Sequence, residues 1–447
     1  MKSSVGRVTP ATPPSRAAQA PTSSGMAMIA TRTAAAPPSP TPSVGEGPLT
    51  LQDTWSKSVE GVRTPVSLAI SPDGGRALTH GLYGGLAAFD PKCGDVLWSQ
   101  ACDRLAGAPV FSNDGASIVT LSNKGKLLCV DTTSGEKRWE SALDTAFGNT
   151  PTLGRDGSIY LRSNDNRVFR CDGDDGHVIY ATSFEANLKA GPLVARDGAA
   201  FVLDWNNTIH VLEPDGSIRW KEHEKFNHQS WALGDDDTLY VSRLWGSISA
   251  RNPMNGELVW DVHPPVGSHP AGGSPNIMVT RPSPPDPADP RALFTADHAH
   301  VLVGSDRGFV YSLDGRNGNL EWTSQQTLFK RPTPQALPDG TVVAPADGSK
   351  VFGLDPRDGE VLWQWHMPTA KYTGPRAGAG GRLLWLDDQG TIHMAEPPRG
   401  RWTVEASART ATAPQAADRD NTEAPTPAIQ VGDGWIIVGG VRIPTHA

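Results

Sequence analysis

Short apolar segments alternate with polar turns along most of the chain, and the alternation is itself periodic. Leu86-Ala87-Ala88-Phe89, Leu127-Leu128-Cys129-Val130 and Val351-Phe352-Gly353-Leu354 each run into Asp, three turn residues and Gly, then into a second apolar segment ending at Trp98, Trp139 or Trp363. Each unit reads as strand, turn, strand, with the first strand half-buried and the Gly supplying the positive φ that a tight reversal needs. A second hairpin precedes each unit, turning at Ser71-Pro72-Asp73-Gly74, Ser112-Asn113-Asp114-Gly115, Gly154-Arg155-Asp156-Gly157, Ala195-Arg196-Asp197-Gly198, Leu233-Gly234-Asp235-Asp236 and Leu337-Pro338-Asp339-Gly340. Four strands per unit follow.

Landmark aromatics stand at Trp55, Trp98, Trp139, Tyr180, Trp220, Trp260, Trp322, Trp363 and Trp402, spaced about forty residues apart except between Trp260 and Trp322. A period of that length marks a repeat architecture whose units bury their apolar faces only against their neighbours. Four-stranded units arranged in a ring form a β-propeller, which leaves only short, protected sheet edges. One Trp per unit is read as a packing residue between blades and not as a ligand-stacking row, with its indole N–H in reach of a neighbouring carbonyl.

The repeated small residue, x, Asp, turn, Thr/Ser/Asn/Asp-Gly and Trp resembles the repeat of the quinoprotein alcohol dehydrogenase-like (PQQ-like) propellers. The match covers about residues 50–402, strongest in the units ending at Trp98, Trp139, Trp260, Trp322 and Trp363 and degraded in those ending at Tyr180, Trp220 and Trp402. The fold expected is therefore all-β, an eight-bladed propeller of four-stranded blades whose repeats end at residues 98, 139, 180, 220, 260, 322, 363 and 402. Thr54-Trp55-Ser56-Lys57-Ser58-Val59 is left over as an orphan last strand, and 428–431 with 434–439 as two more. Nine blades, the ninth completed from both ends, is the alternative.

One ring of this size accounts for residues 49–447 as a single domain, with an insertion near 263–292 and a low-complexity loop near 407–427. The insertion carries His263-Pro264-Pro265 and Arg281-Pro282-Ser283-Pro284-Pro285-Asp286-Pro287, a density of Pro that favours an extended surface loop. Residues 1–48 are rich in Ala, Pro, Ser and Thr and cannot form a core. This segment reads as a solvated tail, an organelle transit peptide or a secretion signal resembling those of bacterial type III effectors. Pro10, Pro13, Pro14 and Pro21 count against the helix a transit peptide uses.

A net charge of −8 disfavours a nucleic-acid surface. No apolar run approaches the ~18 residues of a membrane helix, so no membrane insertion is expected. Neither a classical signal peptide nor a lipid-bearing early Cys is seen, which points to the bacterial cytoplasm or delivery into a host cell. Cys93, Cys102, Cys129 and Cys171 have neither the spacing of a metal site nor the density of a disulfide framework.

Candidate chemistry is sparse. The resemblance raises a pyrroloquinoline quinone dehydrogenase with Ca²⁺, but no two Cys are adjacent, and the acidic groups Asp172-Gly173-Asp174-Asp175 and Asp235-Asp236-Asp237 sit in turns. His298 and His300 share a strand face with no third ligand in view; Glu222-His223-Glu224 with His228 forms a second local cluster. Accordingly no catalytic, cofactor-binding or metal residue is assigned and no cofactor is expected. The function expected is a non-catalytic, monomeric scaffold for protein partners. The alternatives are the quinone enzyme and an envelope assembly factor like the propeller of the outer-membrane β-barrel assembly machine.

Overall fold

The computed structural model describes residues 49–397 and 430–444, less residues 60–61, 63, 225–227, 244–246, 264–275, 281–297, 306–308, 326–333, 347–349, 367–374, 379–380, 388, 433–434 and 439–440. Residues 1–48, most of the blade-six insertion, Trp402 and the 407–427 loop lie outside the described residues. The described residues hold no helix and therefore none able to span a membrane.

Eight four-stranded blades form the propeller. Blade one comprises Pro65–Ile70, Ala77–Gly81, Leu86–Phe89 and Val96–Gln100 in sequential antiparallel order. Blades two to seven repeat that order over 110–142, 152–183, 193–223, 228–262, 276–325 and 335–366. The strand before each Asp was expected to be half-buried, yet Leu86–Phe89, like its neighbour Ala77–Gly81, is buried at every position. Adjacent blades cover both of their faces, so the inside-outside alternation survives mainly on the outer strand Val96–Gln100.

Closure differs from the count ending at Trp402. Blade eight takes Arg376–Ala377, Leu383–Leu386 and Thr391–Ala395 from the end of the repeat series, and its outer strand is Trp55–Ser58 from the beginning. Trp55 pairs with Met394 and Ser58 with Thr391. The orphan strand at 54–59 is thus the eighth blade's last strand, and Trp55 fills the place the period gave to Trp402. Leu49–Leu51 adds in parallel to the outer strand of blade seven, Leu49 opposite Trp363. Between these two strands Asp53 accepts from Trp365 Nε1 at 3.0 Å and meets His393 Nδ1 at 2.7 Å, clasping blades seven and eight with one carboxylate. The strands within 430–444 pair with one another as a separate three-stranded sheet and not with 55–58, so they form no ninth blade.

Among the described residues, seven landmark aromatics pack on the turn glycine of the next blade. A Cβ on Gly94 would stand 2.8 Å from the Trp55 ring, one on Gly135 2.8 Å from Trp98, and one on Gly176 2.5 Å from Trp139. The same pairing joins Tyr180 to Gly216, Trp220 to Gly256, Trp260 to Gly318 and Trp322 to Gly359. These glycines are required twice over, by the positive φ of the turn and by the ring lying against them. Five of the indoles also donate to a carbonyl in the same turn: Trp55 to Pro91, Trp98 to Thr132, Trp220 to Pro253, Trp260 to Gly315 and Trp322 to Pro356, at 2.7–3.1 Å.

Candidate functional site

In blades one to seven the residue just before the landmark aromatic is left without a partner on the neighbouring strand. In blade one Val96 faces Phe89 and Trp98 faces Ala88, so Leu97 is a β-bulge. Arg138, Ile179, Arg219, Val259, Glu321 and Leu362 occupy the same bulge in blades two to seven. A bulge re-aims its side chain out of the pleat. Leu97, Ile179 and Val259 accordingly reach solvent, and Arg138 and Arg219 turn to the carboxylates of Asp131 and of Glu213 with Asp197.

Glu321 is the acidic member among these described bulge residues. Its Oε1 lies 2.7 Å from His298 Nε2 and its Oε2 2.5 Å from His300 Nδ1. The fully buried Ser312 hydroxyl donates to Oε2 at 2.6 Å, and Thr280 Oγ1 accepts from the His300 backbone N–H at 3.0 Å. Burial pushes the Glu321 carboxyl up, but the bonds from His300, Ser312 and His298 outweigh it and hold the acid below its ordinary range. The two imidazoles singled out in the sequence therefore do have a third partner. It comes from the outer strand of the same blade, over twenty residues away, where no local spacing reveals it.

The other histidine cluster disperses. Glu224 is buried and bound by Arg243, through Nε at 2.6 Å, and by Arg251, through Nε at 2.8 Å and Nη2. Arg243 also meets Asp261 at 2.7 Å. His223 is exposed on the outer strand of blade four, 3.5 Å from Thr208 Oγ1, and the side chain of His228 lies outside the described residues.

Nor do the residues fit a quinone and Ca²⁺. All four cysteines are free thiols, Cys129 and Cys171 buried and Cys93 exposed, and burial pushes the Cys171 thiol up to about 12. Asp172 and Asp236 accept backbone N–H groups two residues on within their own turns, as does Asp175 from His177. A Ca²⁺ site needs about six to eight converging oxygens, whereas these carboxylate oxygens are engaged by their own turns.

A further feature is a pair of exposed aromatics. Tyr83, 73% exposed, and Trp205, 63% exposed, lie in the turns joining the second and third strands of blades one and four. Such turns all emerge on one face of a propeller. Lys189, from the loop entering blade four, stacks its ammonium 5.5 Å from the Trp205 ring and reaches Asn207 Oδ1 at 2.7 Å.

A family model described as outer membrane protein assembly factor BamB matches residues 82–204 and 205–374. The chain belongs to the BamB-type PQQ-like repeat family. Among solved structures, BamB from Moraxella catarrhalis superposes with a TM-score of 0.55 at 16% identity, over 78% of this chain and 100% of that one. The designed protein Ika8 gives 0.60 at 14% identity, over 78% and 99%, and the C-terminal WD40 domain of Sif2 gives 0.61 at 12%, over 79% and 100%. At these identities the structural likeness shows the propeller fold, across PQQ-like, WD40 and designed rings alike. No curated protein matches the sequence.

Proposed function

We propose that this BamB-type propeller is a non-catalytic, monomeric scaffold that binds a protein partner through the face bearing Tyr83 and Trp205. The exposed Trp205 with Lys189 against its ring carries the reading: the cation–π contact holds the indole in place, and Trp and Tyr dominate protein-binding hot spots. The family's description as an assembly factor, and the rigidity of a ring clamped by one indole or phenol per blade, support the same role. Residues 1–48 serve in this reading as an export signal that carries the propeller out of a bacterium and into a host cell.

Affinity capture with full-length protein tests the binding face. The expected result is a specific co-purifying protein that is lost with Trp205→Ser and weakened with Tyr83→Ser, while thermal unfolding of both variants is unchanged. A partner held equally by both variants would refute the assignment of the face. Adding pyrroloquinoline quinone with Ca²⁺ should leave the melting temperature unchanged; a rise that follows ligand concentration would mean a cofactor site and an enzyme. Fusing residues 1–48 to a reporter tests export: the fusion is expected inside host cells, and retention in the bacterium contradicts the signal.

A further inference from the structure

The geometry points to a divalent transition-metal site of the zinc class in blade six, formed by His298 Nε2, His300 Nδ1 and a Glu321 carboxylate oxygen. The three donor atoms lie within 4.8 Å of one another: His300 opens the strand His300–Gly304, His298 sits in the bend just before it, and Glu321 lies on the outer strand Leu320–Gln325 of the same sheet. The rings of His298 and His300 stand 4.7 Å apart at 51°, both turned to the same carboxylate. Two imidazole nitrogens and one carboxylate oxygen suit Zn²⁺ and its neighbours, whereas Ca²⁺ and Mg²⁺ call for oxygen throughout. The ion takes the place of the protons that His298 and His300 now share with Glu321.

Three further observations set this group apart from an ordinary buried ion pair. Glu321 is drawn back from the bulge by His298, His300 and Ser312, at a position where the other described blades carry an apolar residue or an arginine. Ser312 holds Oε2 from the buried side, the outer-shell support that orients a ligating carboxylate. Glu321 and His298 keep side-chain exposures of 21% and 13%, so both ligands are partly open to solvent, which can supply a fourth ligand such as water.

The second grouping of possible ligands, Asp172, Asp175 and His177, belongs to a single turn and is mostly exposed. It serves as the control. Chelator-stripped full-length protein is titrated with ZnCl₂ by calorimetry, and the Co²⁺ form is examined by absorption. The expected result is about one ion per chain and the ligand-field bands of a four-coordinate nitrogen and oxygen site. Affinity should fall at least about tenfold in Glu321→Gln and in His298→Asn, and stay unchanged in Asp175→Asn. X-ray absorption on the wild-type zinc form, expected to show two imidazoles, decides the matter should either variant misfold. No stoichiometric uptake, uptake indifferent to residues 298 and 321, uptake abolished by Asp175→Asn, or a zinc shell without two imidazoles would each overturn the assignment.

Discussion

Arg170 donates from Nη1 to the Pro214 carbonyl at 2.7 Å, the acceptor that an indole at position 180 would have reached. Tyr180 stands where other blades carry Trp, packs on Gly216 as they pack on their own glycines, and has a buried hydroxyl with no hydrogen-bond partner. The guanidinium of its own blade takes over the lost bond while also gripping Asp156 at 2.7 Å. Removing it with Arg170→Met should cost about 1–2 kcal/mol, the lower part of the range for leaving an acceptor unpaired, because the Pro214 carbonyl is only partly buried. In a Tyr180→Trp background the same change should cost about 1 kcal/mol less, because the indole N–H restores the bond. A double-mutant cycle by chemical denaturation measures this coupling, and strictly additive effects would contradict it.

Trp260 is buried, and both it and Tyr240 donate to the Gly315 carbonyl of blade six, at 2.8 and 3.1 Å. Trp260→Ala should lower stability by about 3–5 kcal/mol. Trp260→Phe keeps most of the packing on Gly318, and Tyr240 still satisfies the carbonyl, so its cost should be less than half as large. Equal losses in the two variants, read from equilibrium unfolding, would mean that the hydrogen bond and not the packing joins these blades.

Glu224 is enclosed by Arg243 and Arg251 at the junction of blades four and five. Replacing it with Gln removes the charge that balances two buried guanidinium groups. A loss of about 3–5 kcal/mol is expected, as for breaking a buried ion pair from one side. Replacing the exposed Asp175, which pairs with His177 in water, should leave stability nearly unchanged. Thermal or urea unfolding of both variants provides the comparison.

His80 gives the ring an acid limit. Its imidazole is buried in blade one, 2.6 Å from Ser67 Oγ, and burial pushes it down to about 4. The unfolded chain takes up this proton below about pH 6.5 and the native state does not. Stability from this group is thus complete above pH 6.5 and lost as pH falls from 6.5 towards 4, by about 3 kcal/mol at the lower end. His80→Gln should flatten the stability profile in that window; an unchanged slope would assign the acid sensitivity elsewhere.

Blade number and blade content were legible in the chain because each repeat carries its own turn chemistry and its own aromatic, both local signals. Ring closure was legible only in part. Trp55 and Trp402 are equivalent positions in a circular pattern, so periodicity alone counts to either one, and the pairing of Trp55 with Met394 spans a separation that leaves no local trace. The site in blade six divides the same way. His298 and His300 are two apart in sequence and were visible, although only His300 lies on the strand and His298 sits in the bend before it, whereas Glu321 is delivered by a bulge, which appears only when the outer strand's register is known. Arg170 had a signal that sequence reading passed over: a Tyr in place of Trp vacates an N–H, and some donor nearby must fill the vacancy.

The central claim is that the propeller closes through its first strands, with Trp55 as the eighth blade's aromatic and Asp53 clasping Trp365 and His393. Two truncations, compared by thermal unfolding and by near-ultraviolet circular dichroism, test it most directly. Removing residues 1–58 should abolish the cooperative transition, since blade eight loses its outer strand and Gly94 its covering ring, while removing residues 403–447 should leave that transition in place within a few degrees. Loss of folding in the second truncation with a native transition in the first would contradict the account.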